Sequence, residues 1–520
     1  MFNAKRARLW QVGTTAVVVL LFSVTSAISQ TEPALAHKYI AQGKEIKSLH
    51  GNAERQPFTR GRIVLGGDVI LSTSKLDQDV AWIACASPDG HILWSARAEE
   101  EPEAASLFPL TTDGEFIWTA GLRKDGVFRF GKFDAHTLAK IGVVKLDFAP
   151  TKTGSPCLQL HSDDPQNFDL QVSLVQPSGD SIRVALFTRD LHLRFDKLYK
   201  FDFVKNAKQE DTLAGPYLVR IPDGTGYYLC LRRQVPGNVN GSGGACIIKI
   251  DNDGEVVWAN TYALGSPEME FEPHETIDGS ILLHIPKTGG SVVARVNVDG
   301  TVRWAIHVPR IAVNFPDFGF GWEPYRFIRP YLFASGDQLI SMKLVSSVLA
   351  INYETGKIEK QVKLASPGGA FYTEKTKDSI CVTLLNTSYG GRASSQAALL
   401  CFDFDLNLRA ARSIRDAEPH WPILRALPSG RLLSSYSYHD RKTLVVETVN
   451  ENFESPNSCS VLQKANLSVT KSNFEAKPIN VVATPMTPIK ISNSNGKTSE
   501  AEMRLVPFEL VSAACDAAPH

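Results

Sequence analysis

The chain predicts an all-β fold, a β-propeller of four-stranded antiparallel blades. Three observations carry that expectation: a hairpin motif repeated along the chain, spacing of roughly 45 to 60 residues between successive units, and no run with the 3.6-residue apolar period of a long helix. The clearest copies of the motif are 247–258 (IIKIDNDGEVVW), 292–304 (VVARVNVDGTVRW) and 81–94 (AWIACASPDGHILW). Each reads as an alternating strand, a tight Asp-Gly turn, and a second strand with Trp four residues past the Gly. Asp-Gly between alternating apolar residues is a strong hairpin signal, because both turn residues tolerate positive φ.

Weaker copies lie at 348–360 (VLAINYETGKIEK) and 399–410 (LLCFDFDLNLRA), and more degraded ones at 128–141 and 184–195. Two further short strands precede each hairpin. In the fifth unit they flank Asp278-Gly279, and in the eighth they flank Pro428-Ser429-Gly430. First strands then begin near Arg62, Ser106, Cys157, Pro216, Phe271, Arg326, Gly369 and Pro422. That count gives eight blades, with seven plus a separate leading strand as the alternative. A four-stranded sheet cannot bury both faces alone, and radial stacking solves this while leaving only short edges. The eighth unit lacks its outermost strand, which residues 38–46 can supply.

The first residues have the layout of a secretory signal. Lys5, Arg6 and Arg8 precede an apolar run over 12–24, too short to cross a bilayer, and small residues follow at Thr25-Ser26-Ala27 and Ala34-Leu35-Ala36. The expected organisation is a signal peptide at 1–29, a propeller at 37–452, and a Ser/Thr/Asn-rich β extension or tail at 453–520. Export places the protein in the periplasm, at the cell surface or in the medium, as a monomer with no membrane span. Lys+Arg and Asp+Glu are equal at 55 each, so no global field favours nucleic acid.

Eight cysteines are present and none forms a CxxC. An oxidising compartment turns an even number toward disulfides. Cys230 with Cys246, and Cys381 with Cys401, stand symmetrically about Gly-containing turns, where opposed strand residues are close enough to bridge. Cys459 and Cys515 are a third candidate pair, in the extension.

The DGEVVW, DGTVRW and LAINYETGK segments resemble blades of bacterial secreted propellers of the pyrroloquinoline-quinone-like type. The likeness is at repeat level and implies a fold rather than a chemistry. The adjacent-cysteine pair of the quinone dehydrogenases of that type is absent, so the resemblance implies the non-catalytic scaffold members, and no cofactor or metal is expected.

Two groups of residues lie outside blade-building positions. First strands begin with Glu272-Pro273-His274 in the fifth unit and Glu418-Pro419-His420 in the eighth. The fourth has Tyr217 and the sixth Glu323-Pro324-Tyr325. In a propeller these starts share one face and form a partial ring at the channel mouth, where imidazole, carboxylate and phenol groups can take a cation or a sugar. The aromatic connection 313–329 adds Trp322 and Arg326, suited to stacking on a sugar or inserting into a protein partner. The ligand-binding candidates are therefore His274, His420, Tyr325, Tyr217, Trp322, Glu272, Glu323 and Arg326. The functional expectation is a non-enzymatic binding or scaffolding module that takes a protein or glycan at one face. The alternative is a propeller enzyme acting on glycans as a hydrolase or lyase, and after that a quinone-dependent oxidoreductase.

Overall fold

In the computed structural model the described residues are 36–41, 58–63, 69–74, 82–87, 91–98, 104–113, 115–123, 127–147, 157–161, 168–175, 181–201, 212–234, 244–262, 272–275, 278–287, 290–309, 325–328, 331–340, 343–364, 369–386, 396–414, 423–426, 431–437, 443–454, 462–465, 469–471, 477–485, 490–494, 498–501, 503–507 and 510–514. They form an all-β propeller, and every described regular element is a strand.

The strands make eight antiparallel sheets, numbered here by the position of their main strands in the chain. Sheets 1 to 7 take four consecutive strands each, within 58–98, 104–147, 157–200, 212–262, 272–309, 325–364 and 369–414. Sheet 8 combines Ile423–Ala426, Leu432–Ser437 and Thr443–Val449 with Ala36–Ala41 from the start of the chain. In that last pair Ala36 stands opposite Glu447 and Ile40 opposite Thr443.

The expectation of four strands per sheet is corrected: every sheet has five. The fifth strands all come from the segment after residue 452, which is therefore not an appended module. It travels backward round the sheets, placing Leu462–Lys464 on sheet 7, Val469–Lys471 on sheet 6, Lys477–Pro478 on sheet 5 and Ala483–Pro485 on sheet 4. Lys490–Asn493, Thr498–Glu500 and Leu505–Pro507 follow on sheets 3, 2 and 1. Leu510–Ala514 ends the circuit on sheet 8, outside Ala36–Ala41. A bare fourth strand is an open edge of unpaired N–H and C=O groups, and this girdle pairs part of each one.

Apolar cores lie between consecutive sheets. Phe128, Phe130, Leu170 and Phe187 fill the space between sheets 2 and 3. Val184, Leu186, Leu229 and Ile248 do so between sheets 3 and 4, and Ile247, Cys230, Leu283 and Val292 between sheets 4 and 5. The girdle contributes Met503, Ile491, Val481 and Val469 to these cores as it passes.

The repeated motif has a packing reason that its turn chemistry alone does not give. Gly254, Gly300 and Gly356 close the third turns of sheets 4, 5 and 6 at φ of 77°, 85° and 72°. Each turn lies under an aromatic ring from the fourth strand of the preceding sheet. A Cβ on Gly254 would stand 3.0 Å from Phe195, one on Gly300 3.3 Å from Trp258, and one on Gly356 2.7 Å from Trp304. Where the motif degrades, size is exchanged across the seam. Leu191 takes the Gly position in sheet 3, at φ 66°, and its partner position in sheet 2 is Gly142, whose missing Cβ would lie 3.0 Å from the Leu191 methyl. Leu138, Leu406 and Phe453 hold the same left-handed position in sheets 2, 7 and 8. Cost at the backbone is accepted there because the side chain enters the seam, as Leu406 does between sheets 6 and 7.

Gly356→Ala should lower stability by about 2–3 kcal/mol, combining a left-handed alanine with overlap on the Trp304 ring. Urea unfolding measures this, and an unchanged midpoint would refute the seam argument. Ending the chain after residue 507 should uncover the outer edge of Ala36–Ala41. Hydrogen exchange in that strand should then accelerate at least tenfold, with sheets 3 to 5 unchanged.

Candidate functional site

Connectivity gives the disc two unlike faces. In an up-and-down sheet the turn joining strands one and two and the turn joining strands three and four fall at one end. Starts of first strands and the connections between sheets fall at the other.

The turn face is locked by bonds that all run in one direction, from a side chain of one sheet to a turn of the next. Trp118 Nε1 donates to the Arg189 carbonyl at 2.7 Å, Trp258 Nε1 to Val298 at 3.0 Å, and Trp304 Nε1 to Tyr353 at 2.8 Å. Tyr199, Tyr228 and Tyr262 donate to the carbonyls of Gly254, Gly279 and Gly300 at 2.7–2.8 Å. Burial pushes all three phenols well above their ordinary pKa, so they stay donors. The turns themselves are set by short polar residues. Thr301 donates twice to Asp299, and Thr225 twice to Asp223, which holds both carboxyls below the usual value.

The densest polar group on this face joins sheets 5 and 6. Arg295, 1% exposed, pairs with Asp278, donates to the Ser280 hydroxyl at 3.0 Å and to the Tyr353 carbonyl at 2.9 Å, and stacks on the Tyr353 ring at 3.7 Å. Tyr353 donates to Asp278 Oδ1 at 2.8 Å, and Glu354 is shared by Arg295 and Arg303. These groups satisfy one another, which makes them a staple.

The strand-start face holds the residues expected to bind. Register places them on particular sides of particular sheets, because directly opposed residues share a side and neighbours alternate. Glu272 and His274 lie on the strand Glu272–Glu275, the first of sheet 5. Glu272 stands opposite His284, which stands opposite Val293; His274 stands opposite Leu282. Leu282 and Val293 belong to the core shared with sheet 6, so these rows occupy the side of sheet 5 that meets sheet 6. Tyr325 begins the first strand of sheet 6, opposite Ala334, and that row continues to Leu349 of the same core. Glu272, His274 and Tyr325 are thus brought to one groove between two sheets.

Tyr217 is not with them. Its row runs through Cys230 and Ile247 into the core between sheets 4 and 5, one groove away. Arg326 is opposite Phe333 and then Ala350, on the sheet 7 side of sheet 6. Trp322, Glu323 and His420 lie outside the described residues. His284 escaped the sequence reading because it belongs to no repeated tripeptide. Only the pairing across the Asp278-Gly279 turn brings it opposite Glu272.

Register also decides the disulfides. Cys381 and Cys401 are directly opposed, their Cα atoms 4.1 Å apart, and they are bridged. Cys230 and Cys246 are not. Cys230 stands opposite Ile247 and Cys246 opposite Leu231, so the two differ by one residue and occupy opposite sides of sheet 4. Cys230 sits in the core with sheet 5 and Cys246 in the core with sheet 3. Burial holds the Cys230 thiol well above its ordinary pKa. Cys459 and Cys515 lie outside the described residues.

No protein family model matches the chain, and no curated protein matches it. Among solved structures it is similar to the polysaccharide lyase Uly1, at 11% identity and a TM-score of 0.34, over 66% of this chain and 89% of that one. A structure from a study of two prolyl endopeptidases aligns at 12% identity and a TM-score of 0.39, over 78% and 55%. A subtype N10 neuraminidase-like protein of little yellow-shouldered bat aligns at 11% and 0.29, over 60% and 98%. Likenesses this distant say nothing about activity.

Arg295→Leu should cost about 2–4 kcal/mol, because Asp278 and Tyr353 lose their shared partner while Asp278 and Glu354 keep some access to water. Denaturant unfolding measures this, and a loss near zero would mean that the staple contributes nothing across the seam.

Proposed function

We propose that this chain is an exported, non-enzymatic binding or scaffolding module. In this reading the eight sheets are the blades of one closed ring, and the working surface is the strand-start face. The single observation that carries it is the asymmetry between the faces. Side chains of one sheet bond the turns of the next on the turn face. The opposite face carries Glu272, His274 and Tyr325 at one groove, and the connection that contains Trp322 belongs to it. Rigid scaffolds commonly carry recognition on the segments that join their elements.

Contacts at the closure support the ring. The strand Phe58–Ile63 of sheet 1 lies against Ile423–Ala426 and Leu432–Ser437 of sheet 8, and Gly369–Lys375 of sheet 7 lies against Ile423–Ala426. Export is supported by the signal-like first residues and by the bridge between Cys381 and Cys401, a bond that persists in oxidising compartments.

A glycan array and a pull-down from the protein's own extracellular milieu, each with wild type and Trp322→Ala, test the reading. The expected result is a ligand whose binding falls at least tenfold in Trp322→Ala, while Arg303→Ala on the turn face binds as wild type. Equal loss from turn-face substitutions would overturn it. Release of shortened sugars from a bound glycan would move the assignment to the glycan-acting enzyme.

A further inference from the structure

We infer that Glu272, His274 and His284 form a binding site for a transition-metal dication of the zinc class on the first hairpin of sheet 5. The inference goes beyond a face that binds an unidentified protein or glycan, and it stands on backbone register alone.

Glu272 and His274 are two residues apart on one strand, and His284 is directly opposite Glu272 on the next. All three therefore belong to one side of a single hairpin. Two residues along a strand span about 7 Å and directly opposed residues about 5 Å, so the three Cα atoms make a small triangle. Two imidazoles and one carboxylate are a ligand set that zinc accepts with a fourth position open. Hard cations such as calcium take six or more oxygen donors and are poorly served by imidazole.

The surroundings argue that these positions are not ordinary surface. Their rows run into Leu282 and Val293, both 1% exposed and both in the core with sheet 6. Titratable residues in rows that continue into such a core need partners, and a shared cation supplies one to all three. Tyr325 begins the facing row of sheet 6, across the same groove. Among the described side chains no other group of three such ligands gathers. Innermost strands are also well suited to hold a ligand set, since both are paired along their length and cannot drift apart.

The test uses the full metal-stripped protein, titrated with Zn²⁺ by calorimetry and with Co²⁺ by visible absorption, with no other ligand present. The expected result is one equivalent bound at micromolar or tighter affinity, with cobalt showing the absorption of a low-coordinate N/O site. His284→Ala and His274→Ala should each abolish that equivalent, and Glu272→Gln should weaken it at least tenfold. His307→Ala, on the fourth strand of the same sheet, should bind as wild type. Absence of binding by folded wild type would overturn the inference, as would His284→Ala retaining the equivalent. Either failure leaves the glycan and protein assays of the binding face standing, because those are read without added metal.

Discussion

A sheet that stops at its fourth strand leaves a row of backbone donors and acceptors along one edge, and a ring of eight such sheets leaves eight of them. The structure depends on how those edges are met. One continuous segment, from Leu462 to Ala514, lays a short strand on the outer edge of each sheet in reverse order. Its pieces are only two to five residues long, and Lys477–Pro478 and Thr498–Glu500 are exposed throughout. Their contribution is therefore mainly backbone pairing. Apolar residues between them, such as Val481 and Met503, reach the inter-sheet cores and fix the girdle in place. The final piece covers Ala36–Ala41, so sheet 8 joins segments from both ends of the chain.

Within this frame the seams are governed by volume. Where a glycine closes the third turn, the preceding sheet offers Phe195, Trp258 or Trp304. Where a leucine closes it, as at Leu191, the preceding sheet offers Gly142. The two solutions fill one space from opposite sides, which explains why motif copies diverge in sequence while their sheets keep one topology. Directional bonds from Trp and Tyr to the next turn's carbonyls then set the angle between neighbours.

These physical layers were unequally legible in the sequence. The hairpins were readable because Asp-Gly and a following Trp are constrained by local sterics and by the adjacent sheet. The leading strand was readable as the partner missing from sheet 8, and pairs over Ala36–Ala41. The girdle was not readable as eight fifth strands: pieces such as Thr498–Glu500 have no alternation, since nearly all of their pairing is main chain. Cysteine spacing shows the limit of symmetry arguments. Cys381 and Cys401 satisfied it, whereas an offset of one residue sent Cys230 and Cys246 to opposite cores. Among the site residues, Glu272, His274 and Tyr325 converge on one groove. Tyr217 and Arg326 were assigned by the same reasoning and fall in the grooves on either side, because alternation along each first strand decides which neighbour a residue meets.

Alternation also explains why a polar site can sit at the innermost hairpin of sheet 5 without weakening the ring. Blades diverge outward from the axis, so the large residues that fill a seam are needed on the outer strands. There Trp304, Ile306 and Val308 lie beside Leu349 and Ile351. Near the axis the sheets are closer and demand less volume, which releases first-strand positions from packing duty. Glu272, His274 and His284 occupy such positions, while the residues continuing their rows, Leu282 and Val293, are already core. Constraint on the outside and freedom on the inside are thus two results of one radial geometry, and the girdle that fixes the outer edges is what allows the inner strands to carry chemistry.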